Sequence, residues 1–284
     1  MRAANGMNLP HIISKVLREP WLITEQKHHA ILSALESKMA GDFEALSMDE
    51  RDPDSDSGRS DYREFQLLNG GTLAVIPVHG ILGKHLSSLE MACGGCSLDT
   101  IQSQLKTALN SPRIAKVLLD INSPGGTYTG TPETAKLIAE VNAAKQVVAF
   151  TDSDCCSGAY WLASQASAIF STESADIGSV GVRMVLLDVT RQLDQEGIKV
   201  NAIYSGKYKL LGASFKPLAD DEREMLQAES DRIHGAFQDA IRANRAVAVA
   251  DMQGQVYGGE EAAGYGLTDG LINSIDDAIE MMGR

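Results

Sequence analysis

Apolar and polar positions divide the chain into three stretches. From about residue 65, short apolar runs rich in β-branched residues alternate with stretches whose apolar positions recur at helical spacing. The runs are LAVIPV (73–78), KVLLDI (116–121), QVVAFT (146–151), AIFS (168–171) and KVNAIY (199–204). Each has the length and content of a strand. Between them, 98–109, 131–143, 158–166 and 186–196 read as helices. Residues 220–245 read as one long helix with Met225, Ile233, Phe237 and Ile241 on one face. Strand–helix alternation predicts an α/β fold, with a mostly parallel sheet covered by helices. Upstream, residues 8–41 read as a helical arm punctuated by Pro10 and Pro20. Its Ile31, Leu32, Leu35 and Met39 recur at helical spacing, and Gly41 is a plausible stop. Residues 47–64, SMDERDPDSDSGRSDYRE, carry almost no apolar side chain and read as a solvated linker. The expected organisation is an N-terminal helical arm over 1–46, a polar linker over 47–64 and one α/β domain over 65–284.

Composition narrows the classes. A chain of 284 residues with 44% hydrophobic content can bury one large core plus an appendage. The net charge of −13 argues against nucleic acid as the main partner, because phosphate binding needs basic clusters. No apolar run approaches 18 residues, so no membrane anchor is expected, and the N-terminus lacks the apolar core of a secretory signal. The four cysteines, Cys93/Cys96 and the adjacent Cys155/Cys156, make a poor disulfide framework and fit a reducing, cytoplasmic setting.

Chemistry concentrates at three glycine-containing turns that follow strand runs. Asn122-Ser123-Pro124-Gly125-Gly126 follows KVLLDI. Its glycines allow close backbone approach, and their N–H groups could hold a carbonyl oxygen. The plainer alternative is a tight strand-to-helix turn. Ser157 follows QVVAFT and opens a small-residue helix, where it is either an N-cap or a nucleophile next to unpaired N–H groups. Lys207 and Lys209 follow KVNAIY at a third strand end. A neutral lysine is one of the few alternatives to histidine as a base, although most lysines are solvated. Among the histidines only His79 ends a strand, and it shows no evident carboxylate partner in sequence. The Gly-x-Ser-x-Gly elbow is absent. Cys93-Gly94-Gly95-Cys96 has no second ligand pair at metal-binding spacing, so neither metal nor cofactor is expected. Cys155 and Cys156 read as small buried residues rather than nucleophiles.

Taken in order, VIPVHGIL (75–82), LLDINSPGG (118–126), CSGAYWLASQA (156–166), IGSVGV (177–182) and SGKYKLLG (205–212) resemble the signal peptide peptidase A family, serine–lysine peptidases of the ClpP/crotonase fold. The interval between Ser157 and Lys209 also resembles the family's spacing. The resemblance implies Ser157 as nucleophile and Lys209, not Lys207, as general base. It implies Ser179 as the residue orienting the lysine, and Gly126 and Gly158 as oxyanion-hole donors. For Lys209 to act near neutrality, burial has to lower its pKa. The N-terminal stretch NLPHIISKVLREPWLITEQKHHAIL and the pieces YWLAS and GLTDGLINSIDDAI resemble the phage head-maturation proteases of this family. That subgroup implies scaffold and capsid proteins as substrates and a homo-oligomeric ring. The chain ends at Arg284, so a C-terminal scaffold portion is not expected. The alternatives are a cytoplasmic peptide-degrading protease, an acyl-CoA-binding crotonase-like enzyme, and a catalytically silent head-assembly protein.

Overall fold

The computed structural model describes residues 20–24, 65–92 and 94–283. Among the described residues, twelve strands run in chain order. The first six are β1 (Trp21–Ile23), β2 (Gln66–Leu68), β3 (Leu73–His79), β4 (Ile81–Gly83), β5 (Gly95–Ser97) and β6 (Lys116–Ser123). They are followed by β7 (Gly125–Thr127), β8 (Gln146–Cys156), β9 (Ala168–Ser171), β10 (Asp176–Gly178), β11 (Val256–Gly258) and β12 (Gly270–Leu271). The helices are α1 (Ser88–Ala92), α2 (Leu98–Asn110), α3 (Thr131–Ala144), α4 (Gly158–Ala163), α5 (Thr190–Gln195), α6 (Asp220–Arg242), α7 (Gly259–Gly264) and α8 (Ile275–Gly283).

The main sheet has the order β11-β10-β8-β6-β3-β2, and β3, β6, β8 and β10 run parallel. Its central strands are apolar almost without interruption because both faces are covered. Ala74, Ile76, Val117 and Leu119 enter the larger core with α2, α3, α4 and α6. Leu73, Val75, Leu118, Val148 and Phe150 meet Ala278 and Met282 of α8 on the other side. Helix α2 begins where Ser97 Oγ accepts from Thr100 N, and its buried Leu98, Ile101, Leu105 and Ala108 form one stripe. Strand β8 divides its partners. Its first half, Val148 to Thr151, pairs with β9, and its last residues, Asp154 to Cys156, pair with β10. A smaller sheet, β1-β7-β4-β5, lies beside the carboxyl ends of the main strands.

Four of the five expected core strands and all five expected helices are present, so the α/β architecture with parallel strands is as the pattern indicates. Three expectations need correction. Residues 199–204 form no strand, and their apolar side chains face outward: Val200 is 45% exposed and Ile203 fully so. A β-rich run needs a ladder partner and a covering layer, and the described residues supply neither. In α6, Ile233, Phe237 and Ile241 are buried one turn apart, but Met225 is 43% exposed beyond the end of that stripe. Within the expected helical arm, Trp21–Ile23 is a buried strand, because Pro20 breaks the helix pattern and the three residues after it find an open edge at β7. The rest of the arm and the 47–64 linker lie outside the described residues.

Candidate active site

Ser157 sits where β8 turns into α4. Its backbone is at φ 52, ψ −119, a region that side-chain-bearing residues rarely occupy. Such strain costs on the order of 1–3 kcal/mol and is held only where neighbours fix it. Ser157 N donates to Gly178 O at 2.7 Å, and Trp161 N donates to Ser157 O at 2.9 Å. The following helix is clamped as well. Tyr160 Oη donates to Leu267 O at 2.8 Å, and the Trp161 ring stacks on Phe237 with centroids 4.6 Å apart. A serine acting as a cap would accept an N–H of the first turn. Ser157 makes no such bond, and its Oγ is buried without any hydrogen-bond partner. An unpaired buried hydroxyl costs about 1–3 kcal/mol more, so the turn carries two costs that a structural cap would avoid.

Gly125 and Gly126 explain themselves by what surrounds them. Gly125 has φ +101, and a Cβ there would collide with Leu22 O and approach Gly158 N at 2.9 Å. A Cβ on Gly126 would strike the Leu82 backbone of β4. Only glycines let β7 lie between β1 and β4 while its backbone reaches the Ser157 turn. A Cβ built on Gly158 would stand 3.5 Å from Gly126 N, which places the two expected amide donors side by side. Ser123 braces this loop. Its buried Oγ donates to Gly80 O at 2.6 Å and accepts from Gly125 N at 3.2 Å.

Ser179 follows β10, the strand beside β8, in the register that pairs Gly178 with Cys156. It shares the positive φ of Ser157, at 51, and its N–H donates to Gln255 O at 2.6 Å. Ser157, Ser179, Gly126 and Gly158 therefore meet at adjacent strand ends. Lys209 does not join them within one chain. It is exposed, in a turn closed by Lys209 N donating to Gly206 O at 3.0 Å. Its neighbour Lys207 is already engaged: Nζ lies 2.7 Å from Asp221 Oδ2 and 4.8 Å from the centroid of the Tyr208 ring. The hydrogen bond to Asp221, then the one to Tyr208, holds Lys207 above the usual lysine range and keeps it protonated.

A family model described as peptidase family S49 matches residues 139–284, the half of the chain that holds Ser157, Ser179 and Lys209. The chain belongs to peptidase family S49. Over 97% of its length, this S49 chain is 34% identical to capsid assembly protease C of Escherichia phage lambda. It is 31% identical, again over 97%, to the head-tail preconnector protein GP5 of Enterobacteria phage P21. These matches span 65% and 57% of the two phage proteins. Protease 4 of Salmonella typhi is 29% identical over 74% of the chain and 34% of its own length. A solved enoyl-CoA hydratase/isomerase family member superposes with a TM-score of 0.40 at 16% identity, covering 77% of this chain and 72% of its own. The strand order, not that superposition, establishes the architecture of the S49 chain.

His79, Cys96, Cys155 and Cys156 of the S49 chain, all described, are poor competitors as base or nucleophile. His79 does have a carboxylate partner, contrary to the sequence reading: Nε2 lies 2.8 Å from Asp120 Oδ2. Asp120 stands opposite Pro77 on the neighbouring strand, a pairing set by sheet register that distance along the sequence hides. Burial pushes the Cys96 and Cys155 thiols up to about 12 and raises Cys156 well above its ordinary value, so all three stay protonated near neutrality. Iodoacetamide at pH 8 should leave Cys96, Cys155 and Cys156 of the native protein unmodified, as read by peptide mass spectrometry. Rapid alkylation of Cys156 would reopen a cysteine nucleophile. Cys93 lies outside the described residues. Two contributors escaped the sequence reading. Ser123 was visible only as part of a turn, and β1 only as three apolar residues after a proline.

Proposed function

We propose that this chain is a serine endopeptidase that cuts scaffold or capsid proteins during phage head maturation, with Ser157 and Lys209 as its dyad. The observation that carries the reading is the strained Ser157 turn, with its buried, unpaired hydroxyl beside the Gly126 and Gly158 amides, in a chain of family S49. Neutral Lys209 takes the Ser157 proton as Oγ attacks a peptide carbonyl. The Gly126 and Gly158 N–H groups receive the developing oxyanion. The lysine returns the proton to the departing amine, and a water then releases the acyl group. Ser179, at the neighbouring strand end, orients the lysine amine.

The exposure of Lys209 bears on how this site is completed. The segment that carries it presents Ile198, Val200, Ile203 and Tyr204 to solvent, an apolar strip that the other described residues leave exposed. Assembly of copies into a ring covers such a strip and brings the Lys209 amine to Ser157. No helix among the described residues is long and apolar enough to cross a membrane. The test is product mapping. Head scaffold and capsid proteins incubated with the wild-type chain should yield defined fragments by mass spectrometry, and Ser157→Ala should yield none. Identical fragments from both proteins would sink the assignment.

A further inference from the structure

An acyl-transfer site has to receive a carbonyl at its oxyanion donors, and an extended peptide delivers one by adding a strand beside them. Here the strand with the donor glycines is β7, and one of its edges is held by β4. The other edge is occupied by the chain's own β1, which runs antiparallel with Trp21 opposite Thr127, Leu22 opposite Gly126 and Ile23 opposite Gly125. The pairing is extended at both ends. Thr24 N donates to Pro124 O at 3.2 Å, and Tyr128 N donates to Pro20 O at 3.1 Å.

The outer edge of β1 is gripped too. Trp21 and Arg183 exchange two backbone hydrogen bonds of 3.0 Å, so the segment is clasped from both sides as a bound peptide would be. Its position along the cleft is specific. The Leu22 carbonyl oxygen packs against Gly125, and a Cβ built on Gly158 would stand 3.4 Å from both that oxygen and Leu22 Cβ. Leu22, opposite Gly126 in the ladder, therefore presents its carbonyl and its side chain beside Gly158, so it lies along both glycines expected to hold an oxyanion. Trp21, Leu22 and Ile23 are buried, and Ser157, next to the Gly158 that Leu22 approaches, is 1% exposed. A nucleophile sealed in this way cannot meet a protein substrate until its cover moves.

We propose that residues 20–24 are a tethered pseudo-substrate, an N-terminal segment resident in the substrate cleft that has to leave before a protein substrate enters. The proposal rests on the serine-peptidase reading above. It also defines the visitor: an extended peptide pairing with β7, with an aliphatic side chain at the place of Leu22. β1 ends its sheet, yet it is gripped on its outer edge and lies along the donor glycines, and that placement distinguishes an occupied cleft from a finished sheet.

The test uses the full-length assembled protein and a small phosphonate probe that labels reactive serines. Leu22→Asp places a charge against the apolar cleft. Thr24→Pro keeps the side chains of β1 and deletes only the N–H that reaches Pro124. Both variants should label at Ser157 at least about tenfold faster than wild type. A synthetic peptide of residues 18–26, REPWLITEQ, should slow the variants again by refilling the cleft. Variants with native circular dichroism that label within twofold of wild type would overturn the proposal, as would a peptide without effect. Unfolding of both variants would overturn it as well, by making β1 a structural strand. If no form of the protein labels at Ser157, the peptidase reading falls first and takes this proposal with it. If wild type labels as fast as the variants, only the pseudo-substrate falls.

Discussion

Lys209→Ala should abolish cleavage of head proteins, and Lys207→Ala should leave it within a few-fold of wild type. Loss of the base is expected to lower kcat/KM by about 10⁴-fold or more, as when one member of a cooperating catalytic set is removed. The two lysines are separated only by Tyr208 and both are exposed, so the contrast is demanding. Its basis is geometric. Lys207 is spent on Asp221 and Tyr208 and is held protonated by them, which disqualifies it as a base. Lys209 has no such commitment in its turn. The double variant Ser157→Ala/Lys209→Ala should be no worse than either single variant, because two residues of one proton-transfer unit do not contribute additively. Initial-rate measurements on a purified scaffold substrate check all four proteins. An active Lys209→Ala together with an inactive Lys207→Ala would exchange their roles.

Gly126→Ala should be nearly as damaging, for a different reason. The added methyl would drive into the Leu82 carbonyl and lie 2.5 Å from Leu82 N, both backbone atoms of a buried strand that cannot step aside. Strand β7 has to shift, and the Gly126 N–H shifts with it. Losing one oxyanion donor costs roughly 10²–10³ in kcat. The strained sheet should add a loss of about 3 kcal/mol in stability, readable as a lower urea midpoint. Gly235→Ala is the control. A Cβ there meets nothing within 4 Å in the middle of α6, so that change should raise stability by about 0.5–1 kcal/mol. Full activity in Gly126→Ala would remove Gly126 from the site.

What could be read in the sequence was whatever depends on local pattern. The strands β3, β6, β8 and β9 announce themselves as apolar runs because both faces of the sheet are covered, and α2 as apolar positions at helical spacing. The Gly125-Gly126 pair and Ser157 stand out because close approach and strain restrict residue choice. What could not be read depends on contact between distant segments. The alternation in KVNAIY signals a strand, but a strand exists only where another edge receives it, and Ile203 is left in solvent. Likewise β1 is three residues long and is defined by the edge of β7, about a hundred residues downstream, rather than by any periodicity of its own. Lysine burial is of the same kind: leucines follow Lys209 in sequence, but what covers a side chain is decided by the surface laid against it.

The divided pairing of β8 sets how errors spread through this molecule. A strand held by one neighbour along its whole length passes any displacement to its tip. Here the final three residues leave β9 and fasten to β10, and Ser157 itself hangs from Gly178. Ser157 is thus fastened to the strand that leads into Ser179 and makes no ladder contact with β9. Sequence drift in the layer built by β9, β12 and α8 should change how stable the protein is without changing where Ser157 points, whereas a small shift of β10 would move both serines together.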